Sequence, residues 1–260
     1  MSFSKDVLAG RHAVISGGCG AIGIVIVKRL TDHGATVTVN DLIEPNAAEE
    51  RFAEAAIRRD RVAYVPGDLT EAANVDRLMA AAREAFGPVH IALCHAGTVA
   101  AAPLLEVSES NWDQTMAVNV KTAFLLGQAA ARAMVTDEIA GHLIFTVSWV
   151  ADVPWPEIGP YSASKAAMKQ LSRTFARELA DKGIRANAMA PGIVGVGLAK
   201  IQWDTEPSYK ARAQKAVPLG ALQTPESVAD AFLFLCSPAA DYMTGSVLVV
   251  DGGCSLYPMD

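Results

Sequence analysis

Seven short apolar runs punctuate the chain, at 11–16, 35–40, 61–66, 89–94, 142–148, 184–190 and 246–250, each with the length of a buried strand. Between them the apolar positions fall at helical spacing, as over 24–33, where the stripe follows directly on a glycine cluster. Strands alternating with helices in this way build a mainly parallel sheet with helices on both faces. The pattern predicts an α/β, doubly wound, seven-stranded sheet with ligands at the carboxyl ends of its strands. Neither a linker nor an internal repeat breaks the alternation. The range 1–260 therefore reads as one domain, and 260 residues that are 51% hydrophobic suffice for one such core. Alanine-rich patches at 53–57, 80–85 and 129–133 read as places where helices pack closely.

The first strand ends at Ser16, and Gly17-Gly18-Cys19-Gly20-Ala21-Ile22-Gly23 leads into the first helical stretch. A strand, a glycine turn and a helix start bring backbone N–H groups and the helix dipole to one point, which suits a pyrophosphate. A glycine cluster alone is usually just a tight turn, so the second strand supplies a check. Asp41 stands at its end, eighteen residues after Gly23. A carboxylate there accepts hydrogen bonds from both hydroxyls of an adenosine ribose and repels a 2′-phosphate. The competing reading of Asp41 is a loop carboxylate or helix cap. No Arg or Lys lies between Ser16 and Val27, or between Thr36 and Glu50, to receive a phosphate. NAD is expected in preference to NADP.

Tyr161 and Lys165 stand four apart, in Tyr161-Ser162-Ala163-Ser164-Lys165. On a helix such residues share a face, so an ammonium can sit beneath a phenol. Bringing a tyrosine from a pKa of about 10 to near neutrality takes roughly 4 kcal/mol of preference for the phenolate. A cation at about 4 Å supplies that order of energy at an effective dielectric near 20. In isolation the pattern describes many ordinary helices. Here it follows an irregular, proline-rich loop over 150–160, and before that loop the run Leu143-Ile144-Phe145-Thr146-Val147-Ser148 reads as a strand ending in a hydroxyl. Ser148 would hydrogen-bond a reacting oxygen while Tyr161 moves its proton. Ser148 lacks the G-x-S-x-G elbow of a nucleophile.

Together these residues resemble the short-chain dehydrogenase/reductase family, over about Leu8 to Gly253. The family's T-G-x-x-x-G-x-G turn is matched by 16–23, its acidic pair after the third strand by Asp68-Leu69, and its N-N-A-G by Cys94-His95-Ala96-Gly97. Asn119 in Val118-Asn119-Val120, Pro191-Gly192-Ile193-Val194, and Val249-Val250-Asp251-Gly252-Gly253 match later motifs. The resemblance implies a Rossmann fold and a catalytic set of Asn119, Ser148, Tyr161 and Lys165. Tyr161 would be base in oxidation and acid in reduction, Lys165 would also hold the nicotinamide ribose, and Asn119 would anchor a relay water. The implied NAD contacts are Gly17, Cys19, Gly20, Ala21, Ile22, Asp41, Leu42, Asp68, Leu69, His95, Ala96, Gly97, Tyr161, Lys165, Pro191, Gly192, Ile193 and Val194. Three positions depart from the family: Ala21 replaces a glycine, His95 an asparagine and Val196 a threonine. Ala21 and Val196 are expected to tune affinity, and His95 is either a satisfied buried histidine or a pocket residue. A homotetramer is also implied, with helices around 112–135 and 160–181 as interface candidates.

A net charge of −6 and a pI near 5.4 speak against nucleic acid or an anionic membrane as partner. The opening 1–10 lacks an apolar leader segment and no run spans a bilayer, so a cytoplasmic protein is expected. Cys19, Cys94, Cys236 and Cys254 follow no metal spacing, and no H-E-x-x-H pair occurs; no catalytic metal is expected. In the resembling fold a lid over the substrate would span about 194–218. The loop after Ser148 carries Trp149, Val150 and Trp155, and the lid carries Trp203 and Tyr209. With Ser148 and Tyr161, the residues Trp149, Val150, Trp155 and Trp203 are substrate-contact candidates for an alicyclic, aromatic or sugar ring, the other readings being core packing and a subunit interface. Trp112, before Asn119, reads as structural. The expected activity is NAD-dependent interconversion of a secondary alcohol and a ketone on a small cyclic or sugar-like molecule. The alternatives are a 3-oxoacyl thioester reductase and a silent nucleotide-responsive binder.

Overall fold

The seven apolar runs become β1 (His12–Ser16), β2 (Thr36–Asp41), β3 (Val62–Pro66), β4 (Ile91–Cys94), β5 (His142–Thr146), β6 (Arg185–Pro191) and β7 (Val247–Val250) in a computed structural model of the chain. The structure describes residues 3–256. Residues 1, 2 and 257–260 of the domain taken as 1–260 lie outside the described residues, as does the start of the segment 1–10. The sheet order is β3-β2-β1-β4-β5-β6-β7. Every neighbouring pair is parallel, so the sheet is wholly rather than mainly parallel. The winding reverses between β1 and β4, where Ala13 pairs with Ile91, and the loops leaving their carboxyl ends diverge to open a crevice.

Helices α1 (Gly23–Asp32), α2 (Pro45–Glu54) and α9 (Pro225–Cys236) cover one face, with Ile26, Leu30, Phe52 and Phe232 buried against Ile15 and Val37. Helices α3 (Ala72–Phe86), α5 (Thr122–Thr136) and α6 (Gly159–Leu179) cover the other, burying Leu78, Leu126, Met134 and Met168 against Val14 and Phe145. Helix α6 buries Ser164, Lys165, Met168, Ser172 and Ala176. This stripe sets Lys165 against the end of β5. A third apolar cluster joins Trp149, Trp155 and Ile193 to Tyr209, Ala213 and Val217. It ties helices α7 (Gly197–Thr205) and α8 (Pro207–Ala216) to the loop after β5.

Three sequence readings change. β5 stops at Thr146, and Ser148 lies beyond it, accepting from the Val150 N–H at the head of a short 3-10 turn, Trp149–Ala151. Of the alanine patches, Ala82, Ala130 and Ala131 are buried, whereas Ala53 and Ala56 are exposed because α2 ends there and Ala56 turns through a φ of 51°. Trp112, on α4 (Glu109–Met116), is 43% exposed, so it serves no interior packing role.

Candidate active site

The glycine turn is held by its neighbours on both sides. Gly17 has a φ of +70°, and a Cβ there would lie 2.9 Å from the Ala96 Cα, so only glycine lets the turn after β1 meet the turn after β4. Ser16 Oγ accepts from the His95 and Ala96 N–H groups at 3.1 and 3.0 Å, stitching the same two turns together. Helix α1 begins with neither a side-chain cap nor an acidic residue in its first turn, which leaves its amides and dipole for an anion. Ala21 is exposed on the cavity wall and has no positive φ, so its methyl strains neither the turn nor its packing. Asp41 sits at the end of β2 and accepts from Cys19 N at 2.9 Å and Leu42 N at 2.8 Å. A carboxylate has about four acceptor sites, so room remains for a vicinal diol.

Gly17, Gly20, Ala21, Ile22, Asp41, Leu42, Asp68, Leu69, His95, Ala96, Gly97 and the loop 191–194 all line one cavity of about 760 Å³. Cys19 does not line it; that residue is buried, with its N–H on Asp41 and its carbonyl on Arg51 Nη1 at 2.5 Å. Arg51 also corrects the expectation that no cation serves this region. It stands one residue past the stretch 36–50 that holds no Arg or Lys, and α2 delivers it to the glycine turn. The residues present fit a nicotinamide dinucleotide. The α1 amides would hold the pyrophosphate, Asp41 the ribose, Asp68 and Leu69 the adenine, and Ala96, Gly97, Lys165 and 191–194 the nicotinamide half. Bound there, the group would supply the hydride acceptor or donor.

At the inner end of the cavity Ser148, Tyr161 and Lys165 converge. Lys165 Nζ donates to the Thr146 carbonyl at 2.8 Å and lies 5.5 Å from the Tyr161 ring centroid. Burial pushes the Lys165 ammonium down to about 8. Burial also holds the Tyr161 phenol above its ordinary pKa, and interaction with the Ser148 hydroxyl opposes that rise. The direction at Tyr161 is opposite to the one expected: burial raises the phenol, and the opposing influence is the Ser148 hydroxyl, not the charge of Lys165.

Asn119 is buried within a π-helical segment, Ala117–Lys121, that interrupts the run from α4 to α5. Its Oδ1 accepts from Thr98 N at 2.7 Å, and its Nδ2 donates to the Thr98 carbonyl at 3.0 Å and to Ser164 Oγ at 2.9 Å. The side chain does not line the cavity. It joins the loop after β4 to α6 one turn from Tyr161; both Nδ2 hydrogens are spent in that role, and Oδ1 keeps one acceptor position. His95 is a half-buried wall residue with a partner for one ring nitrogen. It lines the cavity, its Nδ1 lies 3.0 Å from Thr146 Oγ1, and burial followed by the charge of Lys165 lowers it to about 4.

Trp149, Val150 and Trp155 line the same cavity, and so does Tyr209 of α8. The tryptophans meet edge to face at 5.2 Å, and Trp155 meets Tyr209 at 6.0 Å. Trp203 does not line the cavity; it packs on this cluster from behind, with Lys210 Nζ 5.5 Å from its centroid. Gln114, Gln202 and Ile158 line the wall without having been singled out. A helix of unknown phase gives no signal for which of its polar residues turns inward. Among the described residues, the charged side chains on the wall are Asp41, Asp68 and Lys165, all at the nucleotide half or the catalytic group. The loop 191–194 is braced by Gln223, whose Oε1 accepts from Gly192 N at 2.8 Å. No cluster of His, Cys, Asp or Glu suited to a metal occurs among the described residues.

The profile of a family described as "Enoyl-(Acyl carrier protein) reductase" matches residues 18–255. The chain is 32% identical over 253 residues to 3beta-hydroxysteroid dehydrogenase 1 of Eggerthella lenta, covering 97% of each. It is 34% identical over 257 residues to glucose 1-dehydrogenase 2 of Bacillus subtilis, covering 98% of each. The solved structure of a gluconate 5-dehydrogenase from Burkholderia cenocepacia, in complex with NADP and tartrate, superposes with a TM-score of 0.89 at 28% identity, covering 98% of this chain and 99% of that one.

Proposed function

The chain belongs to the short-chain dehydrogenase/reductase family of NAD(P)-dependent oxidoreductases, and from that membership we propose that it interconverts a secondary alcohol and a ketone on a small, neutral, cyclic or sugar-like molecule, with NAD preferred. The observation that carries this reading is the convergence of Ser148, Tyr161 and Lys165 at the inner end of a cavity whose substrate end has aromatic and amide groups but no charged side chain. Rings pack on Trp149, Trp155 and Tyr209, Gln114 and Gln202 offer hydrogen bonds to hydroxyls, and a carboxylate or phosphate on the substrate would find no cation there. Ser148 and Tyr161 would bind the reacting oxygen, with Tyr161 donating or removing its proton. Asp41 supports NAD; the nearby Arg51 narrows the margin.

Replacing Tyr161 by Phe removes the proton carrier and keeps the packing, so turnover should be lost while dinucleotide binding persists. Retained activity with cyclic alcohols in that variant would refute the mechanism. Activity restricted to sugar acids or acyl thioesters would refute the substrate class. We further propose a homotetramer that works in the cytoplasm. The exposed Trp112, Phe124 and Val135 on α4 and α5 support the assembly, and four buried, unpaired cysteines suit a reducing compartment. No helix among the described residues is long and apolar enough to cross a membrane. Light scattering of the purified protein tests the assembly: a monomer would refute it.

A further inference from the structure

At the amino-terminal edge of the sheet, the end opposite the nucleotide cleft, lies a second cavity of about 280 Å³. Arg11, His90, His142, Arg185 and Asp241 are on its wall. The proton positions of both imidazoles follow from their partners. Asn187 is oriented by the Ser246 N–H on its Oδ1 at 3.0 Å and the Met243 carbonyl on its Nδ2 at 2.7 Å. The same Nδ2 donates to His142 Nε2 at 2.8 Å, so His142 carries its proton on Nδ1. That Nδ1 is buried and has no hydrogen-bond partner. The Leu235 carbonyl is near enough to raise its pKa slightly, against a larger lowering by burial, but is not in hydrogen-bond geometry. His90 Nδ1 accepts from the His12 N–H at 3.2 Å, which puts its proton on Nε2.

Both imidazoles are therefore neutral N–H donors, and the two guanidiniums are donors as well. Arg185 is held by Asp241 at 3.2 Å and by the Ala240 and Met243 carbonyls, both at 3.1 Å. Arg11 makes no ion pair among the described residues, and its charge is felt at both His90 and Arg185. One carboxylate faces two permanent cations, leaving a single positive charge in excess. Apart from Asp241, which Arg185 holds, the unspent side chains on the wall are donors, and such a set calls for a ligand that accepts. We propose that this cavity is a binding site for a small tetrahedral oxyanion, phosphate or sulfate in chemistry, remote from the nucleotide cleft.

The test is thermal unfolding of the full protein titrated with inorganic phosphate at constant ionic strength, with and without saturating dinucleotide, which fills the other place a phosphate could sit. With phosphate about fivefold above its Kd, Tm should rise by about 2–4 °C whether or not dinucleotide is present. Arg11→Gln and His90→Gln should abolish the rise and leave turnover unchanged; both sites are at the surface, and glutamine can keep the acceptor that His90 offers to the His12 N–H. A phosphomonoester titrated in parallel separates two sources of the ligand: equal shifts assign the site to a phosphoryl group, and a shift with inorganic phosphate alone assigns it to the free ion. The proposal is overturned if no saturable shift occurs, if the shift survives Arg11→Gln, or if it vanishes once dinucleotide is bound.

Discussion

Replacing Asp41 by Asn tests how the cofactor is chosen. The carboxylate holds the Cys19 and Leu42 N–H groups at 2.9 and 2.8 Å and retains acceptor capacity for the ribose diol. Asparagine keeps the shape and one oxygen, so a charge-assisted bond to the ribose becomes a neutral one, a loss of about 1–2 kcal/mol, or roughly 5–30-fold in kcat/KM for NAD. With NADP the sign reverses. A carboxylate and a phosphate charge about 5–6 Å apart, as for groups on one ribose, repel by about 3 kcal/mol at an effective dielectric of 20. Asp41 is only half-buried, so screening lowers this to about 1.5 kcal/mol at the weak end, a gain of roughly 10–150-fold. The NADP-to-NAD preference should therefore shift by about 50-fold to a few thousandfold. Arg51, whose Nη1 lies on the Cys19 carbonyl, is the cation within reach. In the Asp41→Asn background, Arg51→Gln should cut NADP efficiency by about 3–30-fold and leave NAD nearly unchanged. Initial-rate kinetics with both cofactors on the parent, the single and the double variant decides it. A preference that moves less than about fivefold on Asp41→Asn would refute the assignment of Asp41, and an Arg51→Gln effect equal for both cofactors would refute that of Arg51.

Three other substitutions probe the inner end of the cavity. A Cβ on Gly97 would meet Lys165 Nζ at 3.3 Å and Asn119 Oδ1 at 3.4 Å, so Gly97→Ala should lower kcat by about tenfold through misplacement of Lys165; unchanged kcat would show that Lys165 tolerates the push. Asn119→Ala strips partners from Thr98 and Ser164 and should cost about 2–3 kcal/mol in denaturant unfolding, whereas lost turnover at full stability would place the side chain at the reacting atoms. His95 is lowered to about 4 in the fold, so between about pH 6.5 and 4 the unfolded chain binds a proton that the folded chain refuses, and stability falls on acidification. His95→Asn should recover about 2–3 kcal/mol of that loss near pH 4, leaving the share due to His142, which is lowered to about 3, and to His12 and His90, which burial also lowers. An acid limb identical to that of the parent would remove His95 as its source.

What could be read from the chain was whatever depends on one element and its period. Tyr161 and Lys165 share a face because both lie on α6, and Ile26, Val27 and Leu30 mark the buried stripe of α1 directly after the glycine turn. Strand positions were legible for the same reason: both faces of a parallel sheet are covered, so its strands read as unbroken apolar runs. Features that depend on two elements meeting were not. Arg51 is an unremarked arginine on a polar helix until β2 and α2 return it to the Cys19 carbonyl. The lid divides likewise: Tyr209 faces the cavity and Trp203 faces away, a choice made by how α7 and α8 dock on Trp149 and Trp155. Asn119 is the instructive case. Its place in the motif was plain, but the π-helical segment around it turns the amide onto Thr98 and Ser164, away from the cavity. The same limit hid the basic cavity, whose Arg11, His90, His142 and Arg185 come from the starts of four strands. Parallel strands start on the same edge, so residues scattered over 175 positions of chain become neighbours only once the strand order is known. Catalytic chemistry built along a helix can therefore be read locally, whereas cofactor choice and the second cavity, built across strands, need the fold.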